Sequence, residues 1–130
     1  MNPDTSASVE LALDWQRAAS AHDVDRVLAL SDENIEVGGP RGSSRGHQVV
    51  RDWVARTGIT LEPLRVFAHA GAVVLEQRAT WSIEGIPASA KVIGAVFRVS
   101  QGVVTSVVRY DSLDEALAAA GLGVVHETSG

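Results

Sequence analysis

The second half of the chain restricts its fold most. Four segments rich in Val, Ile, Phe and Trp, residues 64–70, 72–84, 89–100 and 103–111, are separated only by the glycine-bearing stretches AGA, EGIP and SQG. Turns of this kind join antiparallel hairpins, so the four segments read as a meander. Alternation along each strand then sorts the side chains by face. Val73, Leu75, Gln77, Ala79 and Trp81 form a core-facing row, with Val74, Glu76 and Arg78 opposite. Ile93, Ala95, Phe97 and Val99 face inward, leaving Val92, Val96 and Arg98 outward. In the last strand Val103, Thr105, Val107 and Arg109 share one face and Val104, Ser106, Val108 and Tyr110 the other, both largely apolar. A sheet apolar on both faces needs two covers, so a homodimer through the outward face is expected. Glu76, Arg78 and Arg98 could form cross-strand pairs there.

The first half has helical spacing. Val9, Leu11, Leu13, Trp15 and Ala19 predict a helix over residues 8–21. Asp23 can cap a second, short helix carrying Val24, Val27, Leu28 and Leu30. A strand follows from Ile35 and ends in IEVGGPRG, with no side chain at the two positions before Pro40. Glycines there suit a tight turn or a close approach. Ser44 is expected to cap a third helix, with Val49, Val50, Trp53 and Val54 on its buried side and Gly58 at its end. Ser112-x-x-Glu115 has the form of a capping box for a last short helix closed by Gly121, and the tail GVVHETSG is expected to fray.

Of the 130 residues, 45% are hydrophobic and 21% charged, which fits one soluble domain over 1–130 with its core in about 8–122 and flexible termini. The absence of cysteine excludes disulfides, thiolate catalysis and cysteine-ligated metal. No apolar run is long enough to span a membrane, and MNPDTSASVE has no secretory pattern, so a cytoplasmic location is expected. A net charge of −5 argues against nucleic acid as a partner. Phosphate-binding glycine motifs are absent and the four histidines are scattered, so neither a cofactor nor a metal is expected.

Helix, helix, strand, helix and then a curved meander, with AHDVDRVLALSDENIEV, GPRGSSRGHQVVRDWV, AVFRVSQGVVTSVVRYD and EALAAAGL in that order, resembles the nuclear-transport-factor-2-like superfamily. The likeness is to its SnoaL-like and ketosteroid-isomerase-like branch and covers roughly residues 8–122. It implies an α+β, cone-shaped fold: three N-terminal helices on a strongly curved antiparallel sheet, a short C-terminal helix, and a pocket between helices and concave face, commonly in a dimer. Ketosteroid isomerases use a general-base Asp with a Tyr and a protonated Asp. By the resemblance those positions are here Gly39, Trp15 and Ala95, so the three roles are unfilled. Limonene-epoxide-hydrolase-like relatives use an Asp, Arg, Asp set with one Asp just before a tyrosine in the last strand, where this chain has Arg109 before Tyr110.

The expected pocket residues are Trp15, Gly39, Trp53, Gln77, Ala95, Phe97 and Arg109. Arg109 is either a group that holds a carboxylate or enolate, or a structural partner of Asp111 or another acid. Gln77 is either a pocket amide or a satisfied core amide. The tryptophans line a pocket or simply pack the core. His47, in the first turn of helix three, and His69, at a hairpin tip, are expected to be solvent-exposed, and His22 and His126 suggest no chemistry. The expected function is a small-molecule binding protein for an apolar or weakly acidic organic ligand. The alternatives are an isomerase, cyclase or hydrolase using Arg109 with Asp111 or a histidine, and a domain that only docks a partner.

Overall fold

A computed structural model describes residues 3–56, 58–83 and 86–128, with side chains over 5–55, 58–81 and 90–128. Helices α1 (Pro3–Ser20) and α2 (Val24–Ala29) lead into strands β1 (Ser31–Gly39) and β2 (Gly42–Arg45) and helix α3 (His47–Arg56). Strands β3 (Ile59–His69), β4 (Ala72–Ile83), β5 (Ile86–Ser100) and β6 (Val103–Tyr110) follow, then α4 (Leu113–Ala120), a short 3-10 turn and β7 (Glu127–Thr128). The predicted α+β architecture is present. Glu84 and Gly85, in the expected EGIP turn, lie outside the described residues.

All seven strands form one curled sheet in the order β2-β1-β6-β5-β4-β3-β7. The meander β3 to β6 is antiparallel, but β1 lies parallel to β6, so the sheet is mixed rather than wholly antiparallel. The whole meander separates those two strands in the chain, which gives β1 the length of connection a parallel neighbour requires. The hairpin tips Ala70-Gly71 and Gln101-Gly102 all have positive φ, between 51° and 82°, as a two-residue turn matched to strand twist demands.

Three expectations are corrected. Ser44 does not cap a helix: residues 42–45 are a strand whose Ser44 pairs with Val37, and α3 starts at His47. The glycine turn before it is tight enough to fold this segment back on β1 before the chain turns helical. Second, the last strand does not alternate cleanly. Val99 pairs with Val104 and Arg98 with Ser106, which leaves Thr105 as a bulge whose Oγ1 donates to Arg98 O at 3.1 Å. Val104, expected outward, is therefore fully buried in the same core as Val107. Third, the tail is paired as far as Thr128. Glu127 and Thr128 pair with Phe67 and Val66, and Arg65 grips Glu127 through two bonds, Nε to Oε2 at 3.1 Å and Nη2 to Oε1 at 2.9 Å.

The main core lies between the concave face and the first three helices, around Trp15, Ile35, Val54, Val73, Leu75 and Phe97. Part of the second cover comes from the chain itself. Ser112 Oγ accepts from Glu115 N and Gly121 is left-handed, so both caps of α4 form as the sequence implies. The helix buries Ala116 and Leu117 against Phe67, Val74 and Val96 on the convex face. Gly94 makes this possible, because a Cβ there would stand 2.7 Å from Ala116 Cβ and 2.8 Å from Ser112 O. Val92, beyond the reach of α4, remains 45% exposed, and Arg78 pairs with Glu62 on the neighbouring strand at 3.8 Å.

Candidate functional site

The end of β1 and the fold-back of β2 form one wall of a cavity, and the two glycines at that point do different work. Gly38 pairs with Ser43, and a Cβ on it would lie 2.5 Å from Ser43 Cβ and 2.7 Å from Gly42 O. Only glycine permits so close a hairpin. Gly39 meets no such obstruction: its missing side chain leaves space 3.9 Å from Arg109 Nε. Glu36, two residues earlier, fastens the hairpin by accepting from Ser43 Oγ at 2.9 Å and from Ser106 Oγ at 3.1 Å. These bonds, Ser43 first, hold its carboxyl below the usual glutamate range.

The opposite wall is aromatic. Trp15, 1% exposed, stacks on Trp53 at 6.1 Å between ring centroids and meets Phe97 edge-on at 5.7 Å. Its orientation is set by polar contacts. Nε1 donates to Ser31 Oγ at 2.9 Å, and that hydroxyl donates to Val27 O. The floor is the concave face itself, with the small Ala95 beside Arg109 in the β5–β6 pairing.

Together these elements enclose about 520 Å³. Trp15, Gly39, Trp53, Gln77, Ala95, Phe97 and Arg109, the seven residues expected from sequence, all border it. Val37, Arg41, Ser43, Ile59 and Leu61 also do, and sequence reasoning missed them. Strand parity could have marked Val37, since it alternates with Ile35, but the β2 hairpin that carries Ser43 was hidden by the helix expected there.

The electrostatics of the cavity are one-sided. No Asp, Glu or His is among its described lining residues, whereas Arg41 and Arg109 both are. Arg109 is half-buried, and its Nε is buried without a hydrogen-bond partner. Its expected structural partner Asp111 is exposed and pairs instead with Lys91 at 3.4 Å. Among the described residues, no acid faces the guanidinium within ion-pair distance. Gln77, 2% exposed, donates from Nε2 to Oε1 of the fully buried Gln16 at 2.7 Å.

None of the histidines is brought to the cavity, and His47 is less exposed than expected. His47 is half-buried with Nε2 3.1 Å from Ser31 O, and the ring of His22 lies with Nδ1 3.1 Å from Val54 O. His69 is exposed and packs against His126, their ring centroids 4.8 Å apart. Among the described residues no group of three or more His, Asp or Glu side chains could hold a metal ion. No described helix is long and apolar enough to cross a membrane.

Neither a protein-family model nor a curated protein matches the sequence. Solved structures do match in fold. An epoxide hydrolase of Mycobacterium tuberculosis like limonene epoxide hydrolase is 20% identical, with 91% of this chain and 87% of that one covered at a TM-score of 0.76. An NTF2-like protein from Burkholderia xenovorans is 25% identical, with 89% and 96% covered at 0.69. A protein of ketosteroid-isomerase-like fold from Catenulispora acidiphila is 20% identical, with 88% and 94% covered at 0.69. These likenesses extend over most of each chain: the chain has the nuclear-transport-factor-2-like fold, in the form shared by ketosteroid-isomerase-like and epoxide-hydrolase-like structures.

Proposed function

We propose that the protein binds a small, largely apolar organic molecule carrying one carboxylate or enolate, which Arg109 holds. The observation that carries this reading is the partnerless buried Nε of Arg109 at the edge of an apolar cavity. A buried donor on a cation is disfavoured while it stays unpaired, and among the described residues no side-chain acid supplies the pairing. A planar anion from solution would supply it, with two parallel bonds available to the guanidinium fork. Trp15, Trp53 and Phe97 would take up the apolar body of the ligand.

The alternative, an isomerase or hydrolase built on Arg109 with Asp111, needs a base that can reach the substrate. Asp111 is outside the cavity lining and tied to Lys91. A binding role is therefore the reading the geometry supports best. For assembly, we propose a homodimer through the part of the convex face that α4 leaves open, around Val92 and Val108. Light scattering should then return about twice 13.7 kDa, and the monomer mass at micromolar concentration would contradict it.

The binding reading is tested by thermal melting with a panel of aromatic and alicyclic carboxylic acids alongside the amines of the same carbon skeletons. Acids should raise the melting temperature in a concentration-dependent way while the amines leave it unchanged. Equal shifts from acids and amines, or none from either, would reject the anion site.

A further inference from the structure

Gln77 stands in the concave-face row of β4 with Leu75 and Ala79 as its nearest neighbours on that face, both wholly buried and apolar. Its partner Gln16, on α1, is also wholly buried. The 2.7 Å bond from Gln77 Nε2 to Gln16 Oε1 joins the two side chains, and Gln16 Nε2 is left buried with no partner. Two primary amides carry four N–H donors and two oxygens, so one shared bond leaves most of their capacity unused. Burial in that state is unfavourable, and an apolar pair of similar volume would avoid it.

Gln77 borders the cavity and Gln16 is not among its lining residues, so Gln77 is the member of the pair that can meet a ligand there. The pair can also turn end for end. With both amides rotated, Gln16 Nε2 donates to Gln77 Oε1, and Gln77 presents its N–H₂ to the cavity in place of its oxygen. It can thus offer either an acceptor or a donor to whatever lies there.

The sheet register sets where this second polar point lies relative to the first. Arg109 pairs with Ala95 and Ala95 with Leu75, whereas Gln77 pairs with Ile93. Gln77 is therefore two strands across and two residues along from Arg109 on the same face, roughly 12 Å between Cα atoms at ordinary strand spacings. Between them the floor is apolar and, at Ala95, low.

Resting on the reading of Arg109 as an anion site, we infer that the Gln16–Gln77 pair is a second anchor that recognises a hydroxyl group at the far end of the ligand. The preferred ligands are then cyclic hydroxy acids, one or two rings wide, with carboxylate and hydroxyl at opposite ends. A hydroxyl group both donates and accepts, which matches an amide pair able to present either.

Calorimetric titration with benzoate against 4-hydroxybenzoate, and 2-naphthoate against 6-hydroxy-2-naphthoate, tests this on the wild type, Gln77→Met and the double variant Gln16→Leu/Gln77→Met. The double variant removes both amides, so no orphan is left to compromise folding. The wild type should bind at least one hydroxy acid about tenfold more tightly than its parent acid. Both variants should lose that preference, binding each hydroxy acid no more tightly than its parent acid. Equal wild-type affinity for parent and hydroxy acid would overturn this inference and leave the Arg109 reading intact. Failure of all four acids to bind would overturn both.

Discussion

Gly39 and Arg109 face each other at the cavity edge, with the place a side chain would occupy on the glycine 3.9 Å from the buried Nε. The arginine has room for an acid, and the sequence puts none there. Gly39→Asp should fill the site from within. Gly39 is not among the glycines with positive φ, so aspartate can adopt its backbone. The new charge-assisted bond should stabilise the fold by about 1 to 2 kcal/mol and abolish binding of organic acids, as read by chemical denaturation and calorimetry.

Gly38 should respond in the opposite sense. Gly38→Ala drives a Cβ into Ser43 and the Gly42 carbonyl, and overpacking of this kind costs about 1 to 3 kcal/mol. Amide hydrogen exchange should show the loss concentrated in residues 42–45, with the meander protected as before.

The aromatic wall should prove rigid because it is bonded as well as packed. Trp15→Ala should destabilise by about 3 to 5 kcal/mol. Ser31→Ala, which removes the acceptor of the indole N–H together with the donor to Val27 O, should cost about 1 to 3 kcal/mol by leaving the indole N–H unsatisfied in the core. Denaturant unfolding of the two variants checks the order.

Glu36 gives the hairpin a pH dependence. Its pKa is lowered on folding by the Ser43 and Ser106 hydroxyls, so the contribution is complete above the ordinary glutamate value near 4.5 and disappears as the pH falls through the lower folded-state value. Melting temperature measured from pH 7 downward should therefore fall less for Glu36→Gln than for the wild type below about pH 4.5.

Much of this arrangement could be read from the sequence because its signals are local. The Ala70-Gly71 and Gln101-Gly102 turns, the Ser112 N-cap and the alternation of Val73, Leu75 and Gln77 each depend on a few adjacent residues, and those elements form where expected. The failures involve tertiary choices. Whether GSSR continues toward a helix or folds back as a strand depends on Glu36 and, through it, on Ser106 far along the chain. The bulge at Thr105 is set by pairing with β5 and leaves no periodic mark. The tail holds through Arg65, 62 residues distant from Glu127. The cavity residues Trp15, Gly39, Ala95 and Arg109 were found through family likeness, while the unpaired state of Arg109 required knowing that Asp111 turns to Lys91.

The central claim is that Arg109 is there for an anion from solution, and Arg109→Met addresses it most directly because it keeps approximate length while removing the charge. Calorimetric titration of wild type and variant with an acid that binds the wild type should show a loss of about 1.5 to 3 kcal/mol of binding free energy, with folding stability unchanged or higher since no side-chain acid is stranded. Unchanged acid affinity in the variant, together with a marked fall in its folding stability, would contradict the account and make Arg109 a structural residue.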